Sequence, residues 1–394
     1  MLKNYFKVAF RNLWQNPGYS FINIFGLTIG LTCCLIIFQY VAFEYSFDRF
    51  HENDSELYRV IMASSRGGGE EGAGTYTPQA MGSALAESIP EIQLFTRITP
   101  DEPIVSSSLD PDRVFEEKNV LYVDEEFMQM FSFPLLSGDL QSALKPGTVL
   151  ISQTAANKYF GTENAVGEVL NITGQVEESF RVAGVFEDVP ANSHLQFELL
   201  LPMENLLKSG QYVDEPEGGW HYNNFLTFIQ VNENSSITDV NQKMTDVLMA
   251  QRGDILKERG FTMRLYGQPL QDVYLNSEVH AFGGLQGSYR TVYFFSIIGL
   301  VTLLIALFNY INLATARSLD RSREVGVRKV IGAQRNQLIS QFFFESALTN
   351  LIAIVLAIVL AELLQPLANN LWETEVTLSF WTNPWLPVTI LGVF

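Results

Sequence analysis

The chain has little cysteine and histidine, and each shortage excludes a class of site. Its 394 residues include two cysteines, Cys33 and Cys34, and four histidines. Both cysteines lie inside an apolar run, where they are expected to fill space, so no disulfide is predicted elsewhere in the chain. The histidines, at positions 51, 194, 221 and 280, lie far apart in sequence. They lack the short spacings of metal ligands, and we expect no metal site.

Motifs for catalysis and nucleotide binding are also missing. The sequence contains no Gly-x-x-x-x-Gly-Lys-Ser/Thr phosphate loop and no Gly-x-Ser-x-Gly nucleophile turn. Its formal net charge of −18, from 25 basic and 43 acidic residues, disfavours nucleic acid as a partner. We therefore expect a chain that is not an enzyme and that carries no cofactor of its own.

Long apolar runs are present, and they predict a multi-pass membrane protein. Residues 21–43 include no charged side chain. As a helix they would be about 34 Å long, enough to cross a bilayer core of ~30 Å. Further runs cover residues 291–316 and 341–364, and the second of these includes Glu345. Another run begins at residue 386 and is too short to span, which predicts a fragment of a longer protein.

The distribution of charge predicts the orientation of these helices. Lys3, Lys7 and Arg11 precede the first run without an acidic neighbour, and residues 317–335 contain six basic and two acidic side chains. Residues 44–290 contain 16 basic and 37 acidic side chains. Because short basic flanks stay in the cytoplasm, we expect the N-terminus inside and the large acidic segment outside.

These observations predict an α+β membrane protein in which transmembrane helices flank a large mixed α/β external domain. Apolar residues at helical spacing beside a basic stripe predict an interfacial helix at the N-terminus, and Pro17-Gly18 is expected to end it. The predicted segments are 1–20 (amphipathic helix), 21–43, 291–316 and 341–364 (transmembrane helices), 44–290 (external domain), 317–340 (cytoplasmic loop), 365–385 (external loop) and 386–394 (start of a fourth transmembrane helix).

Local patterns within the external segment predict particular elements. Strands are expected at residues 149–151, 180–186 and 225–231, and Ser152 is expected to cap a helix that ends at Gly161.

A second predicted helix follows Ser236, which would form a capping box with Asp239. Its apolar stripe, within residues 237–248, is expected to face the core. Residues 66–74, rich in glycine and glutamate, predict a mobile loop, and the order of strands in the sheet stays open.

With these motifs in place, the sequence resembles the MacB-like and FtsX-like permeases of ABC transporters, especially the long forms of Bacteroidetes-type bacteria. The resemblance covers nearly the whole chain. The segments that carry it are 6–13, 47–51, 57–60, 131–139, 152–161, 184–190, 192–194, 309–318 and 324–333.

The resemblance implies a bacterial inner-membrane protein with a MacB-like periplasmic core domain and an FtsX-like helical membrane domain. It implies a dimer of permeases that works with a dimer of a separate ATPase, so that ATP and Mg²⁺ would be bound by the partner. The machine would transmit force across the membrane to export peptides, drugs or envelope components. A periplasmic adaptor, an outer-membrane channel and membrane lipids are further implied partners, and long forms carry a second, related half.

The basic segment between the second and third runs is the expected site of coupling to the ATPase. Val327, Val330 and Ile331 would form one apolar stripe that enters a groove on a partner, and Arg328 and Lys329 would pair with its acidic rim. Alternatively, the basic residues of this segment could reflect only the positive-inside rule, which keeps short basic flanks in the cytoplasm. The residues assigned to this coupling loop are Arg323, Glu324, Gly326, Val327, Arg328, Lys329, Val330 and Gly332.

Three polar residues are expected within the membrane. Asn309 and Asn312 are candidates for hydrogen bonds between helices. Glu345 is expected to pair structurally, for example with Arg335, and proton transport is the alternative role.

Two other functions stay open for the whole chain. A membrane-anchored sensor would also place a binding domain outside the cell, and a secretion-complex scaffold would lack nucleotide-linked motion.

Overall fold

The computed structural model describes residues 10–11, 14, 17–67, 69–140, 142–162, 164–213, 218–276, 279, 285–332 and 334–372. The chain forms two compact units. The helical unit combines Met1–Tyr45 with Arg290–Phe394, and the α/β domain is Ser46–Tyr289. The predicted combination of apolar helices with a mixed α/β domain is confirmed.

Nine α-helices are found in the described part of the chain. In chain order they are α1 (Pro17–Tyr45), α2 (Met81–Ser88), α3 (Phe127–Met130), α4 (Gln153–Phe160), α5 (Met203–Leu207), α6 (Ile237–Glu258), α7 (Leu270–Val273), α8 (Tyr289–Val330) and α9 (Arg335–Trp372). A short 3-10 helix covers Gly210–Tyr212.

Among the described residues, three helices are long and apolar enough to cross a membrane, by length and composition. They are α1, the part of α8 from Tyr289 to Leu313, and α9. Each extends beyond the run predicted for it. The predicted helix at residues 1–20 and the predicted fourth transmembrane helix at residues 386–394 lie largely or wholly outside the described residues, and Pro17 is the first residue of α1.

The prediction of a loop at residues 317–340 is wrong in conformation. Helix α8 continues through Val330, and α9 begins at Arg335, so only a short turn separates the two helices. The loop predicted at 365–385 is likewise helical as far as Trp372. Hydrophobicity predicted the candidate membrane spans, but it does not predict how far a helix continues beyond its apolar part. Half of residues 317–330 are good helix formers (Arg, Leu, Glu and Lys) and none is proline, so α8 can extend through this stretch.

Helices α1 and α8 approach each other closely through small residues. A Cβ atom added to Gly30 would lie 2.5 Å from the Ala306 Cβ, and one added to Gly26 would lie 2.8 Å from the Asn309 Nδ2. The two glycines form a Gly-x-x-x-Gly pair, which lets helix backbones pack tightly in membranes. This spacing can be read in the sequence, and it was missed there.

Helices α1 and α9 pack through hydroxyl groups and alanines. The hydroxyl of Thr28 donates to the Ala353 carbonyl at 3.4 Å. The Thr32 hydroxyl lies 2.8 Å from the Thr28 carbonyl of its own helix and 3.3 Å from the Ala357 carbonyl of α9. Ala353 and Ala357 are both fully buried. The equal offset in sequence shows that α1 and α9 run parallel. Helix α1 therefore has contacts with α9 as well as with α8.

The α/β domain is built on one sheet, to which 14 strands in the described ranges contribute. They are β1 (Leu57–Arg66), β2 (Gly72–Gly74), β3 (Tyr76–Pro78), β4 (Ile92–Asp101), β5 (Ile104–Ser107), β6 (Asp110–Glu116), β7 (Val120–Val123), β8 (Leu135–Gly138), β9 (Thr148–Ser152), β10 (Val169–Thr173), β11 (Glu177–Phe186), β12 (Leu199–Pro202), β13 (Asn223–Val231) and β14 (Phe261–Pro269).

The strand order is β14-β1-β13-β4-β7-β12-β9-β11-β10-β5-β6, with β2, β3 and β8 pairing at its sides. Only the pairs β7–β12 and β9–β11 are parallel among the pairings described. Long-range pairing of this kind, such as β1 with β13 and β14, is not encoded in any local pattern. The sequence therefore gave no basis for ordering the sheet.

Three apolar clusters form the core of the domain. One contains α4 and α5 with β9 to β12, a second contains the phenylalanine-rich segment around α3, and the third holds α2 and α6. Val240, Met244 and Leu248 of α6 are buried in the third cluster, which confirms the predicted core stripe.

Most local predictions for the domain are confirmed. The three predicted strands lie within β9, β11 and β13. The Ser152 hydroxyl accepts a hydrogen bond from the Ala155 amide at 3.1 Å, and Gly161 ends α4 with φ 67°. Its left-handed conformation is one that glycine adopts without strain.

One local prediction is wrong, and one is right only in part. Ser236 precedes α6, but its side chain makes no capping hydrogen bond. The loop predicted at residues 66–74 is shorter than expected, because β1 extends to Arg66 and β2 begins at Gly72, and the described residues 67 and 69–71 lie between these strands. Pairing between strands β1 and β2 overrides the weak strand preference of the glycines there.

The tight contact at Gly30 generates a test. Replacing Gly30 with valine should destabilise the helical unit by about 1–3 kcal/mol, because the larger side chain must displace Ala306. The thermal unfolding midpoint of the full chain in detergent measures this effect. Gly18→Val is the matched control, since a Cβ atom there meets nothing within 4 Å. Equal midpoints for the two variants would contradict the packing.

Candidate functional site

The basic end of α8 is a rigid extension of a membrane helix. The helix has 42 residues and is about 63 Å long, roughly twice the thickness of a bilayer core. Its last turn is closed by a hydrogen bond from the Gly332 amide to the Lys329 carbonyl at 3.1 Å. Gly332 has φ +97°, the left-handed conformation that glycine favours just after a helix.

The end of α8 carries exposed apolar side chains, which we call the apolar tip: Val327, Val330 and Ile331. They are 62%, 89% and 80% exposed. Together with Gly326 they line a shallow concavity, and a Cβ atom on Gly326 would meet nothing within 4 Å. An exposed apolar patch of this kind marks a surface for interaction.

The charged residues of the predicted coupling segment divide into two groups. Lys329 is exposed beside the apolar tip. Arg323, Glu324 and Arg328 lie in α8, but their side chains fall outside what the structure describes. Pairing of these residues with an acidic partner therefore stays a prediction.

The three predicted intramembrane polar residues have different surroundings. Asn309 lies against α1 at Gly26, and Asn312 is exposed on the surface of α8. Glu345 is buried in α9, and its Oε1 accepts a hydrogen bond from the Gln341 Nε2 at 3.2 Å. Pairing of Glu345 with Arg335 stays a prediction.

Two motifs that the sequence analysis kept apart meet in the α/β domain. Residues 47–51 follow α1 directly, and residues 192–194 lie more than half the domain further along the chain. Asp48 Oδ1 accepts a hydrogen bond from the His194 amide at 3.0 Å, and Asp48 Oδ2 lies 2.9 Å from His194 Nδ1. Both residues are buried. Their sequence distance concealed this contact.

His51 is buried among aromatic rings at the same place. Its ring centroid lies 5.2 Å from those of Phe131 and Phe133, and its Nδ1 accepts a hydrogen bond from the Ser132 amide at 3.1 Å. Burial lowers the pKa of His51 from 6.5 to about 4, although the nearby Asp48 opposes the shift. The imidazole is therefore neutral near pH 7.

Metal chemistry has no support from the described ranges. They contain no group of three or more histidine, cysteine, aspartate or glutamate residues arranged to hold a metal ion. His51, His194 and Asp48 are all buried at the start of the domain.

The neutral His51 generates a prediction for the pH dependence of stability. Its pKa is lower in the folded state, so its contribution is fully present above pH 6.5 and is lost as the pH falls towards 4. Between pH 7.5 and 4.5 the wild type should lose about 2–3 kcal/mol more than His51→Asn, which cannot be protonated there. Urea unfolding of the full chain at both pH values measures this difference. Identical losses in the two proteins would contradict it.

Comparison with known proteins identifies relatives among ABC transporters. The chain is 26% identical over 251 residues to the macrolide export ATP-binding/permease protein MacB of Pasteurella multocida, covering 62% of this chain and 35% of that protein. It is 21% identical over 366 residues to the MacB of Aggregatibacter actinomycetemcomitans, covering 90% and 52%. The chain thus spans about half or less of these curated relatives.

A solved structure from Porphyromonas gingivalis, a domain of a putative permease protein, matches with a TM-score of 0.47 and 21% identity. The match covers 60% of this chain and 94% of that one.

Two protein families match successive parts of the chain. Residues 20–247 match the MacB-like periplasmic core domain, which is more than half of the chain. Residues 296–394 match the FtsX-like permease C-terminal family. The apolar helices described above and the mixed α/β domain between α1 and α8 occupy these two regions. The chain therefore belongs to the MacB-like and FtsX-like family of ABC transporter permeases, as a membrane protein with a periplasmic domain.

Proposed function

We propose that this chain is the transmembrane subunit of an ABC transporter in which a separate ATPase drives motion of the periplasmic domain. The observation that carries the proposal is the apolar tip at the end of α8. Val330 and Ile331 are 89% and 80% exposed at the end of a helix that continues from a candidate membrane span. Contiguous exposed apolar side chains favour an interaction surface, and these two lie beside Val327, which is 62% exposed.

Docking of the apolar tip into a groove on the ATPase accounts for this exposure. Burying a valine or isoleucine side chain contributes about 1.5–3 kcal/mol, so the tip supplies a large share of the energy of a specific contact. Lys329, exposed beside the tip, adds electrostatic selection of an acidic rim. An ATPase of this kind binds ATP and Mg²⁺, and the permease chain contributes the docking surface.

The continuity of α8 supports transmission of force from that surface. A helix resists bending because every interior amide is hydrogen-bonded within it, whereas a loop would absorb a displacement by rotating its backbone. A push on the apolar tip therefore moves the membrane segment of the same helix. Helix α1 packs against α8 at Gly30 and leads directly into the α/β domain at Ser46.

The same proposal fixes the orientation and the partners. The basic N-terminus and the basic end of α8 lie in the cytoplasm, in agreement with the positive-inside rule, and the acidic domain lies in the periplasm. A second permease copy, a periplasmic adaptor and an outer-membrane channel complete the proposed assembly. Its substrate class is peptides, drugs or envelope components, and the relatives named above are macrolide exporters.

Replacing the apolar tip tests ATPase coupling. Val330→Ser with Ile331→Ser should abolish stimulation of the cognate ATPase by the full-length protein in nanodiscs, because the docking contact loses its apolar area. Arg328→Glu with Lys329→Glu should act likewise by repelling an acidic rim, and neither pair should prevent membrane insertion. Ile339→Ser, an exposed apolar position on α9, is the control.

Unchanged stimulation of the ATPase by both double variants would contradict the docking role. Failure of any P-loop ATPase to co-purify with the wild-type protein from native membranes would favour a scaffold instead.

A break in α8 tests the transmission of force separately from docking. Ser318→Pro removes a backbone hydrogen bond between the membrane segment and the tip, at a cost of about 3 kcal/mol, and kinks the helix. The ATPase should still co-purify, but the ATP-dependent change in hydrogen exchange of the α/β domain should be lost. Ser318→Ala preserves the helix and is the control. If the α/β domain responds to ATP equally in Ser318→Pro and Ser318→Ala, α8 does not transmit force as proposed.

A further inference from the structure

The α/β domain has two covalent connections to the helical unit. Residues 46–51, the first connection, follow α1, and residues 285–289, the second connection, lead into α8. Any motion that passes between the two units along the chain must pass through these segments. Their attachments within the α/β domain therefore decide whether the connections move separately or together.

Asp48 attaches the first connection to residues 192–194. It is fully buried and has φ 60°, a left-handed conformation that is uncommon for residues other than glycine. Its amide donates to the Asn192 carbonyl at 2.9 Å, and its carboxylate receives the His194 amide at 3.0 Å. The Asn192 Nδ2 in turn donates to the Ser46 carbonyl at 3.0 Å. A strained backbone with so many partners is held by its surroundings, and such sites are candidates for function.

The second connection is held by His194 and by Tyr274, and both of these residues also contact the first connection. The Leu285 amide donates to the His194 carbonyl at 3.3 Å, so His194 holds both connections. The Gly287 amide donates to the Tyr274 carbonyl at 2.9 Å. The ring of Tyr274 is stacked on the ring of Phe47, with centroids 3.4 Å apart and planes within 2°.

We infer that His194 and Tyr274 form a shared anchor through which the two membrane connections move as one body, with Asp48 as its positioning residue. Each anchor residue contacts the first connection with its side chain and the second with its backbone carbonyl. The functional meaning of the anchor rests on the proposed function, because a force relay gains from connections that cannot slip past each other. Its existence does not depend on any ATPase.

The start of the domain combines apolar and polar contacts, and the two kinds have different effects. A purely apolar contact is not directional, whereas the carboxylate of Asp48 accepts hydrogen bonds in only one arrangement of residues 192–194. The polar contacts thus fix the register of the first connection, and the stacked rings of Phe47 and Tyr274 exclude water beside it.

Hydrogen exchange of the full-length protein in nanodiscs, without any partner, tests the anchor. Asp48→Gly removes the carboxylate, and glycine adopts φ 60° without strain, so the loss is that of the side chain alone. Exchange should rise at least about tenfold in peptides from both connections, including the amides of Leu285 and Gly287, which do not touch Asp48. Strands β9 and β11 should keep their exchange rates.

Asp48→Asn should restore slow exchange in both connections, because an asparagine tolerates the same backbone conformation and its amide still bonds residues 192–194. Asp124→Ala is the matched control. Asp124 is a half-buried carboxylate that follows β7, and the Nη2 of Arg97 in β4 lies 2.6 Å from its Oδ1. The described hydrogen bonds to the Asp124 carboxylate come from Arg97, and none comes from either connection. That variant should raise exchange around β4 and leave the connections unchanged.

Loosening of the first connection alone in Asp48→Gly would overturn the shared anchor. If exchange rises throughout β9 and β11, the milder Asn192→Ala, which removes only the hydrogen bonds to Ser46, decides by the same criterion. Because no nucleotide or ATPase is present, a failure here leaves the proposed function standing. Conversely, the outcome of the ATPase experiments with the apolar-tip variants does not decide whether the anchor exists.

Discussion

Unbroken backbone hydrogen bonding along α8 is the constraint on which the rest of the account depends. The same helix crosses the membrane region and presents Val330 and Ile331 to water at its end. A flexible loop in that place would have made the exposed apolar tip a passive docking surface. In a continuous helix, the proposed docking at the tip would displace the membrane segment directly. The close contacts of α1 with α8 at Gly30, and with α9 at Thr28 and Thr32, then make α1 part of the same packed unit.

The interior of the α/β domain and the start of the domain are held by different kinds of contact. The interior of the domain is held by apolar clusters on its sheet, with ordinary close packing. Where the chain arrives from α1, a buried carboxylate and a buried histidine are combined with stacked aromatic rings. Buried polar groups are costly unless they are fully paired, and they specify one arrangement when they are. This difference singles out the start of the domain as a place where geometry is fixed.

The sequence predicted the parts of this architecture that depend on local composition. Apolar runs located three candidate membrane helices, and Ser152 with Gly161 correctly marked the two ends of α4. It failed where distant segments decide the outcome. The sheet order and the contact between Asp48 and His194 both join residues far apart in sequence. The predicted loop at 317–340 failed for another reason, because charge predicts the side of the membrane and says nothing about backbone conformation.

The candidate coupling residues were accessible from the sequence because apolar spacing at Val327, Val330 and Ile331 is a helical signal. The exposure of these side chains could not be predicted from the sequence, because the same spacing is also typical of a helix that packs against its own protein. The Gly26 and Gly30 pair was accessible too, as a Gly-x-x-x-Gly spacing, and it marks the contact between α1 and α8. The role proposed for Asp48 could not be predicted from the sequence, because its burial and left-handed conformation depend on the folded structure.

The most direct test of the central claim is the side of the membrane on which each end of the relay lies. Single cysteines at Val330 and at Val213, both exposed, can be introduced after Cys33 and Cys34 are replaced by alanine. In intact spheroplasts, a membrane-impermeant maleimide should label position 213 and should reach position 330 only after lysis. Labelling of both positions in intact spheroplasts would place the tip and the domain in one compartment, and would contradict a relay across the membrane.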